Sequence, residues 1–531
     1  MKDNDKFRKK IKDIIHMISA NSTFTLLVSK RYILLFLIIF VFGLFLRLRG
    51  LNSREIHFDE SWVVYSIEQP TLKLMLENIR STPFLFNLIL FFSTKLLPEK
   101  EWAYRLIPFI FGVLNMPLIF FLSKKITKSI GVAFFSLLLL VFNEMHIYYS
   151  KDLKQYSCDM FFLMLIIFVG EFLLHSKRSF NILLGLLFTI FLIISFLFSY
   201  ISIFPIIVIF PLLIFKYYKK KDKRAILKVA LSYTIFFIAL SFFYITIIKQ
   251  QSEGEGLVQY WQRRGAFPDL STIKDFLFWF RRNLSSLVID YPFVEGSRFI
   301  LILLALPLIR KTRLQKVRAY YYYLGIIICI FVVSFFHKYP FIGNRVTLFS
   351  TSILLIIVSM GIYTLYSIVK GRLSIGITSI VLTILFFPYV NQGYEMATIK
   401  HVNAWDEGKR YIERQYSQDT IIINYNLTRT LWWYYFHNFG EGDRIYSFSE
   451  RTDKEIGDTF FGKSEKKLNT YINNTEKTLL IVMREPFSDY KQKLFHKQRK
   501  KLLNKLEEDD RLSSKFEKSK TYIYEVSSVE K

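Results

Sequence analysis

The sequence predicts a polytopic α-helical membrane protein that carries a small α/β domain at its C-terminal end. Three observations predict this class. The 531 residues are 52% hydrophobic and include 55 Phe and 32 Tyr. Apolar runs of about 18 residues or more recur, which is typical of membrane-spanning helices. After Asn391 the composition becomes more charged, and short β-branched runs appear.

Residues 1–30 are rich in Lys and Arg and show no small-x-small cleavage site, so they predict a cytoplasmic arm before an uncleaved first span, Tyr32 to about Leu46. Basic clusters separate the later apolar runs. These are Lys124–Ser129, His175–Ser179, Lys216–Arg224, Arg310–Arg318 and Lys370–Arg372. Basic loops stay in the cytoplasm. About eleven spans within residues 31–391 then satisfy the pattern.

This arrangement places four loops on the outer side of the membrane, residues 47–104, 143–156, 249–297 and 337–345. The apolar stretch Pro83–Leu97 would reverse the sidedness of everything after it if it crossed the membrane. We therefore interpret it as an amphipathic or re-entrant helix on the outer surface.

Residues 392–531 predict an extracytoplasmic α/β domain. Helix signals in Asn403–Tyr416 are followed by three β-branched runs, Asp419–Asn426, Lys477–Pro486 and Lys520–Val526. Its basic patch, Lys491–Lys501, suits either an anionic acceptor or docking on lipid head groups. The domain contains no Cys and no pattern typical of a catalytic site.

The formal net charge of +28 is typical of nucleic-acid binding or of loops anchored on anionic lipids. On a polytopic chain we expect membrane lipids as the partner and no nucleic acid. Cys158 and Cys329 lie in apolar runs and form neither a disulfide framework nor a metal motif. There is no P-loop, dinucleotide fingerprint or HExxH motif. The one Asp-x-Asp, Asp3 to Asp5, lies in the N-terminal arm, so nucleotide-sugar chemistry in the cytosol is unsupported.

Asp59 and Glu60 follow the first span, among aromatic and aliphatic residues. Ionisable residues at membrane depth are usually functional or paired. The alternative is a solvated loop pair bridged to Arg54. Two further motifs follow. One is "RLIPFIFGVLNMPLIFFLSKK", beginning at Arg105, and the other is "YYSKDLKQY", Tyr148–Tyr156.

In this order, these motifs resemble those of the C-type glycosyltransferases, in the group of the protein O-mannosyltransferases and aminoarabinose transferases. The resemblance covers most of Arg47–Phe168 and extends less closely to Tyr339–Tyr363. The family's second motif is nearer Ser-Arg-Glu-x-Arg-x-Tyr. This chain has Lys151, Asp152 and Lys154 there, which keep the charges but lose bidentate guanidinium geometry.

The resemblance implies a C-type glycosyltransferase fold and a sugar donor linked to polyprenyl phosphate in the outer leaflet. A hydroxyl of a cell-envelope acceptor (a glycolipid, wall polymer or protein) would attack the anomeric carbon and invert it. This reaction needs one base and no general acid, because the phosphate departs as a stable anion. Asp59 is the predicted base, and Glu60 orients it or holds a neighbouring helix.

Asp152 is predicted to position the acceptor or to bind a divalent cation, Mg²⁺ or Mn²⁺, together with Asp59. His57 is either a further ligand or a hydrogen-bonding histidine. For the donor phosphate we expect Arg345, with Lys154 and Lys338 as secondary candidates. The alternative for Arg345 is snorkelling at a helix end.

Arg263 and Arg264 are candidates for the entrance taken by the lipid phosphate, whereas Arg105 is expected to be a structural tether to an acid of the first outer loop. The composition is typical of a bacterial plasma-membrane protein with a cytoplasmic N-terminus.

A transporter or flippase of lipid-linked saccharides is the rival function. Transporters place polar residues at the bilayer midplane on broken, repeated helices. Here the spans are nearly uncharged and no internal repeat is visible; Asp159 and Glu171 are the nearest exceptions. A third reading, a scaffold that displays the C-terminal domain, would not need so many spans.

Overall fold

The computed structural model describes residues 30–398 except 53–55, 80–81, 99, 178, 253–254, 291–298, 310–316 and 369–386. Beyond residue 398 it describes five strands and a few single positions. The predicted N-terminal arm, residue 54, the cluster Lys370–Arg372, most of the patch Lys491–Lys501 and the helix signals of Asn403–Tyr416, except two positions, lie outside the described residues.

The described chain before the C-terminal domain is helical. Its helices are α1 Lys30–Leu48, α2 Phe58–Ile67, α3 Leu72–Asn78, α4 Phe84–Thr94, α5 Glu101–Tyr104, α6 Leu106–Thr127, α7 Ile130–Phe142, α8 Glu144–Tyr149, α9 Tyr156–His175, α10 Ile182–Phe198, α11 Ile203–Lys219, α12 Lys223–Phe243, α13 Lys249–Ser252, α14 Glu255–Arg263, α15 Ile273–Ser285, α16 Phe299–Ile309, α17 Val317–Phe335, α18 Leu348–Ile368 and α19 over residues 387–398. Short 3-10 turns precede α11 and α18.

Among the described residues, 7 helical segments are long and apolar enough to cross a membrane. They are Lys30–Leu48, Leu106–Thr127, Tyr156–His175, Tyr200–Lys219, Lys223–Ile248, Val317–Phe335 and Arg345–Ser367. Helices α4, α7 and α10 are apolar but shorter. The protein is therefore a multi-pass membrane protein, and the predicted total of about eleven spans stays a prediction.

Helix α4, which covers most of the apolar stretch Pro83–Leu97, has 11 residues. At 1.5 Å per residue it is about 16 Å long, roughly half of the hydrocarbon thickness. The buried Asn87 amide donates to the Thr82 hydroxyl (2.7 Å) and to the Pro83 carbonyl (2.8 Å), which holds the start of the helix. A helix of this length does not cross the bilayer alone, which supports its interpretation as a surface or re-entrant helix.

Helix α9 lies at the centre of the bundle and packs against α6, α11 and α18. Its apolar residues belong to one continuous core. Gly112 of α6 approaches the loop after α8 so closely that a Cβ there would overlap the side chain of Ser150. A glycine in α6 thus lets the loop that begins at Ser150 lie against the bundle.

The predicted cytoplasmic clusters meet at the end of α9. Lys125 of the first cluster lies over the ring of Phe172, with the ammonium 5.3 Å from the ring centroid. Lys220 of the third cluster donates to the Lys177 carbonyl of the second. Arg318, at the end of the fourth, bonds to the last turns of α9. The clusters that the positive-inside rule assigns to one side therefore contact one another.

The predicted outer loops contact one another as well. The Lys151 ammonium donates to the Arg49 carbonyl (3.0 Å), which joins the second outer loop to the first. The Phe341 amide donates to the Ala266 carbonyl (2.9 Å), which joins the fourth loop to the third. Each of these contacts joins two loops that the predicted topology places on the same side of the membrane. Which face of the membrane each set occupies stays a prediction.

The chain divides into two compact units, residues 1–51 with 81–399 and residues 52–80 with 400–531. The second unit contains α2, α3 and a five-stranded sheet of order β2-β1-β3-β5-β4. The strands are β1 Thr420–Tyr425, β2 Ile445–Phe448, β3 Thr478–Arg484, β4 Leu512–Lys518 and β5 Thr521–Val526. Pairs β1–β2 and β1–β3 are parallel, and β3–β5 and β4–β5 are antiparallel.

Each of the three β-branched runs singled out in the sequence forms a strand, namely β1, β3 and β5. Parallel neighbours need crossover connections, usually helical. The segments 426–444 and 449–477 that would make them lie outside the described residues. The α/β character of this domain therefore stays a prediction.

Candidate functional site

The Asp59-Glu60 pair opens α2, in the second unit. Both carboxylates lie in its first turn, where the backbone N–H groups of a helix N-terminus favour negative charge. Glu60 is fully buried, and its Oε2 accepts hydrogen bonds from the His57 backbone N–H (3.2 Å) and from His57 Nδ1 (2.8 Å). Asp59 is only half-buried. The pair is thus divided into a carboxylate that fixes the start of the helix and one that reaches the surface.

The loop that carries Asp152 and Lys154 connects α8 to α9 in the first unit. Both side chains are buried, at 1% and 9% exposure. The Lys154 amide donates to the Asp152 carbonyl (2.7 Å), which makes the loop a tight turn. Ser157 Oγ donates to the Tyr149 carbonyl (2.9 Å) and closes the loop onto α8. Two residues that the sequence predicts for chemistry are therefore held on a short and well-packed turn.

Lys151, next to Asp152, is also buried, at 1% exposure. Its ammonium donates to the carbonyls of Arg49 (3.0 Å) and of Ala397 (3.3 Å). The charge that the motif comparison assigned to this position is thus directed at backbone carbonyls, where it joins the loop to α1 and to α19.

A buried polar cluster that joins α1, α6 and α8 was not predicted from the sequence. Arg47 Nη2 donates to the Leu140 carbonyl (3.0 Å) and to His146 Nδ1 (2.7 Å). The Asn115 amide lies 3.1 Å from His146 Nε2 and donates to the Ser157 carbonyl (2.9 Å). Burial, and secondarily the Arg47 charge, hold the pKa of His146 well below its ordinary value.

This cluster contacts the residue that follows the loop of Asp152 and Lys154, because the Asn115 amide donates to the Ser157 carbonyl. It therefore supports the end of that loop. The sequence signal was weak, since Arg47 comes directly after the predicted first span, where a basic residue is common. An Asn inside an apolar helix was the better indication, since a buried amide needs hydrogen-bond partners.

Arg345 begins the 3-10 turn Arg345–Thr347, and its side chain is half-buried. The turn is held by Asn344 Oδ1, which accepts from the Val346 amide (3.0 Å), and by Tyr339 Oη, which donates to the Val346 carbonyl (2.6 Å). Burial raises the pKa of Tyr339 well above its usual range, and the neighbouring Asp159 adds to this. The Arg345 turn therefore lies at the end of the bundle where α9 begins, as does Lys154.

The other predicted cations are more exposed. Arg263, Arg264 and Lys338 lie at the surface. The Arg264 guanidinium stacks on the ring of Tyr260, 4.4 Å from its centroid. Arg105, by contrast, is fully buried and donates to the Leu51 carbonyl at 3.4 Å, so it holds the start of the first outer loop by a backbone carbonyl.

No protein-family model matches the chain, and no curated protein matches it in sequence. Solved structures do match its fold. The apo structure of ArnT from Cupriavidus metallidurans superimposes with a TM-score of 0.50 at 11% identity, over 94% of this chain and 98% of that one. ArnT bound to undecaprenyl phosphate gives 0.51 at 12% identity with the same coverage.

The Archaeoglobus fulgidus oligosaccharyltransferase, in a complex with Zn and sulfate, gives a TM-score of 0.50 at 12% identity over 84% of this chain and 67% of that one. The chain has the C-type glycosyltransferase fold. This confirms the fold that the order of the motifs implied. At 11–12% identity the likeness concerns the fold, so the roles of individual residues are proposals.

Proposed function

We propose that this protein is an integral-membrane inverting glycosyltransferase. It moves a sugar from a polyprenyl-phosphate donor to a hydroxyl of a cell-envelope acceptor on the outer face of the membrane. The fold it shares with ArnT, one structure of which binds undecaprenyl phosphate, supports this proposal. The observation that carries it is the division of the Asp59-Glu60 pair, with Glu60 buried as a structural carboxylate and Asp59 partly exposed.

In the proposed reaction the acceptor oxygen forms a bond to the anomeric carbon of the sugar. The bond from that carbon to the phosphate oxygen breaks, and its electron pair leaves with the phosphate. The proton of the acceptor hydroxyl passes to Asp59. A well-placed base contributes about 10²–10⁴-fold to such a step. The position of Asp59 in a helix first turn supports this role, because the helix N-terminus favours the ionised carboxylate that a base must be.

Lys154 and Arg345 are the proposed partners of the donor phosphate. Both belong to the end of the first unit where α9 begins, and Lys154 is buried. A cation in a low-dielectric site interacts with a phosphate more strongly than an exposed one. The exposed Arg263, Arg264 and Lys338 suit the entrance of the lipid phosphate better than the reaction centre.

A divalent cation is a further proposal. The oxygens of Asp59 and Asp152 are hard ligands of the kind that Mg²⁺ and Mn²⁺ prefer, and His57 would add a nitrogen that suits Mn²⁺ better than Mg²⁺. Such a cation would supply positive charge for the departing phosphate. His57 Nδ1 bonds to Glu60, so its Nε2 would be the ligand atom, with Glu60 orienting the ring. Alternatively, Asp152 positions the acceptor.

The test is transfer of labelled sugar from polyprenyl-phosphate donors to a membrane extract, with the protein in lipid nanodiscs. We expect Asp59→Asn to lose about a hundredfold in rate at an unchanged melting temperature, because it removes the base. Glu77→Gln is the matched control, since Glu77 is an exposed carboxylate of α3 in the same unit. Equal transfer by Asp59→Asn and the intact protein would exclude Asp59 as the base, and Asp152→Asn would be measured next. Lipid that crosses the bilayer without any transfer would favour the flippase.

A further inference from the structure

Helix α19 packs on the other helices of the first unit through one face. Tyr389, Gly393 and Ala397 follow one another at four-residue spacing, so they share one face of the helix. Tyr389 and Ala397 are buried, and a Cβ at Gly393 would overlap the Phe142 carbonyl oxygen. The helix backbone therefore lies directly on the junction between α7 and α8.

Polar contacts at three of its residues hold α19 in this place. Asn143 Nδ2 donates to Tyr389 Oη (3.0 Å), which itself donates to the Leu139 carbonyl (2.8 Å). Arg49 Nη1 donates to Tyr394 Oη at 3.0 Å, and its guanidinium lies 5.2 Å from the centre of that ring.

The third contact comes from Lys151, whose ammonium bonds to the Ala397 carbonyl in the last turn of the helix. Because Lys151 precedes Asp152 directly, one buried ammonium connects the position of α19 to the turn that carries Asp152 and Lys154. The same ammonium reaches the Arg49 carbonyl, so three segments distant in sequence meet on it. Buried charge-assisted hydrogen bonds of this kind are stronger than neutral ones and more dependent on geometry.

We propose that α19 is a positioning element for the Asp152–Lys154 turn, and that Lys151 is the positioning residue that couples them rather than a ligand of the donor phosphate. The inference deepens the proposed glycosyl transfer and rests on it for its kinetic consequences. Its structural content, the coupling of α19 to the turn, is independent of any activity.

The kinetic test compares Lys151→Met, Lys151→Arg and Gly393→Ala with the intact protein. Lys151→Met removes the ammonium but keeps much of the side-chain length, and Gly393→Ala displaces α19 without touching the turn. Both are expected to lower kcat about tenfold or more, with the donor KM changed less than about threefold, since small misplacements of reacting groups cost rate. Lys151→Arg should recover part of kcat because it still donates to carbonyls.

The double variant Lys151→Met/Gly393→Ala should be no slower than the slower single variant, because both changes break one connection. Gly170→Ala is the matched control, because a Cβ at this glycine of α9 would overlap the side chain of Ile209, away from the turn and from α19. A raised donor KM with unchanged kcat in Lys151→Met would overturn the proposal, since it would mark a phosphate ligand. An unchanged kcat in a folded Gly393→Ala protein would overturn it as well.

Hydrogen exchange separates this proposal from the proposed function. In nanodiscs, Lys151→Met and Gly393→Ala should each speed amide exchange of residues 150–156 about tenfold, with α9 beyond residue 162 unchanged. Gly170→Ala should leave the exchange of residues 150–156 unchanged. If the intact protein transfers no sugar from any donor, the proposed function fails, and the exchange data still decide the coupling. Unchanged exchange of residues 150–156 in both variants would refute it.

Discussion

Helix α9 carries a buried acid near each end, and the two are held differently. Near its end, Glu171 accepts hydrogen bonds from Arg318 (3.0 Å) and from the Tyr322 hydroxyl (2.5 Å). Near its start, on the order of 18 Å away at 1.5 Å per residue, Asp159 accepts from the neutral Ser199 hydroxyl at 2.6 Å. The acid at one end is held by an ion pair, and the acid at the other end by a hydrogen bond from a neutral hydroxyl.

The different partners of Glu171 and Asp159 agree with the roles that we propose for the two ends of α9, structural at the Glu171 end and catalytic near the Asp159 end. The Glu171 end joins the predicted cytoplasmic loops, where an ion pair fixes α9 to α17 and nothing predicted for chemistry lies. The Asp159 end adjoins the turn of Asp152 and Lys154 and the Arg345 turn. The sequence marked Asp159 and Glu171 as equivalent exceptions in a transporter reading. The structure gives Glu171 a structural partner, so that acid does not favour a transporter.

The largest effect is expected from breaking the ion pair. Arg318→Met leaves Glu171 buried without its cation, and we expect a loss of about 3 kcal/mol, the lower end of the range for such changes because Arg318 is one third exposed. The melting temperature in detergent measures the loss. Glu171→Gln/Arg318→Met is the control and should recover most of the stability, since the amide still accepts from Tyr322. Equal melting temperatures for the intact protein and Arg318→Met would contradict the structural role.

A smaller effect is expected at the other end. Ser199→Ala removes the hydroxyl that bonds to the buried Asp159, and removing the partner of a buried polar group costs roughly 1–3 kcal/mol. Ser195→Ala, in the preceding turn of α10, is the matched control, because that hydroxyl bonds only back to the Phe191 carbonyl of its own helix. If both alanine variants have the same melting temperature, the hydrogen bond from Ser199 to Asp159 does not stabilise the fold.

The smallest effect concerns two like charges, Glu144 of α8 and Glu395 of α19. Burial, and secondarily Glu395, raise the pKa of Glu144. The folded state therefore favours the protonated acid. Its stabilising contribution is fully present below the ordinary Glu pKa of about 4.3 and is lost as the pH rises through the raised value.

Glu144→Gln should accordingly raise the melting temperature at pH 8 and leave it unchanged near pH 4. The melting temperatures of the intact protein and of Glu144→Gln, compared from pH 4 to pH 8, measure this difference. Glu77→Gln, which alters an exposed carboxylate, should shift neither. A stabilisation by Glu144→Gln that is equal at both pH values would contradict the electrostatic origin.

The sequence by itself determined the membrane character and most of the described helices. Each depends on local composition: apolar length predicts a span, and Lys and Arg beside it predict a side. The order of the motifs also led to the C-type glycosyltransferase fold, which the structural likeness confirms. The strands β1, β3 and β5 coincide with β-branched runs for the same local reason.

Only the tertiary structure decided what each charged side chain does. Asp59 and Glu60 are adjacent and chemically similar, and the fold distinguishes them by burying Glu60 and by hydrogen bonds from His57 to Glu60. Lys151 keeps the charge of the family's second motif, and its ammonium reaches carbonyls of residues 49 and 397. Arg47 and His146 meet across 99 positions of sequence. Such partners depend on helix packing between distant segments, and a periodic pattern in a single sequence carries information only about residues a few positions apart.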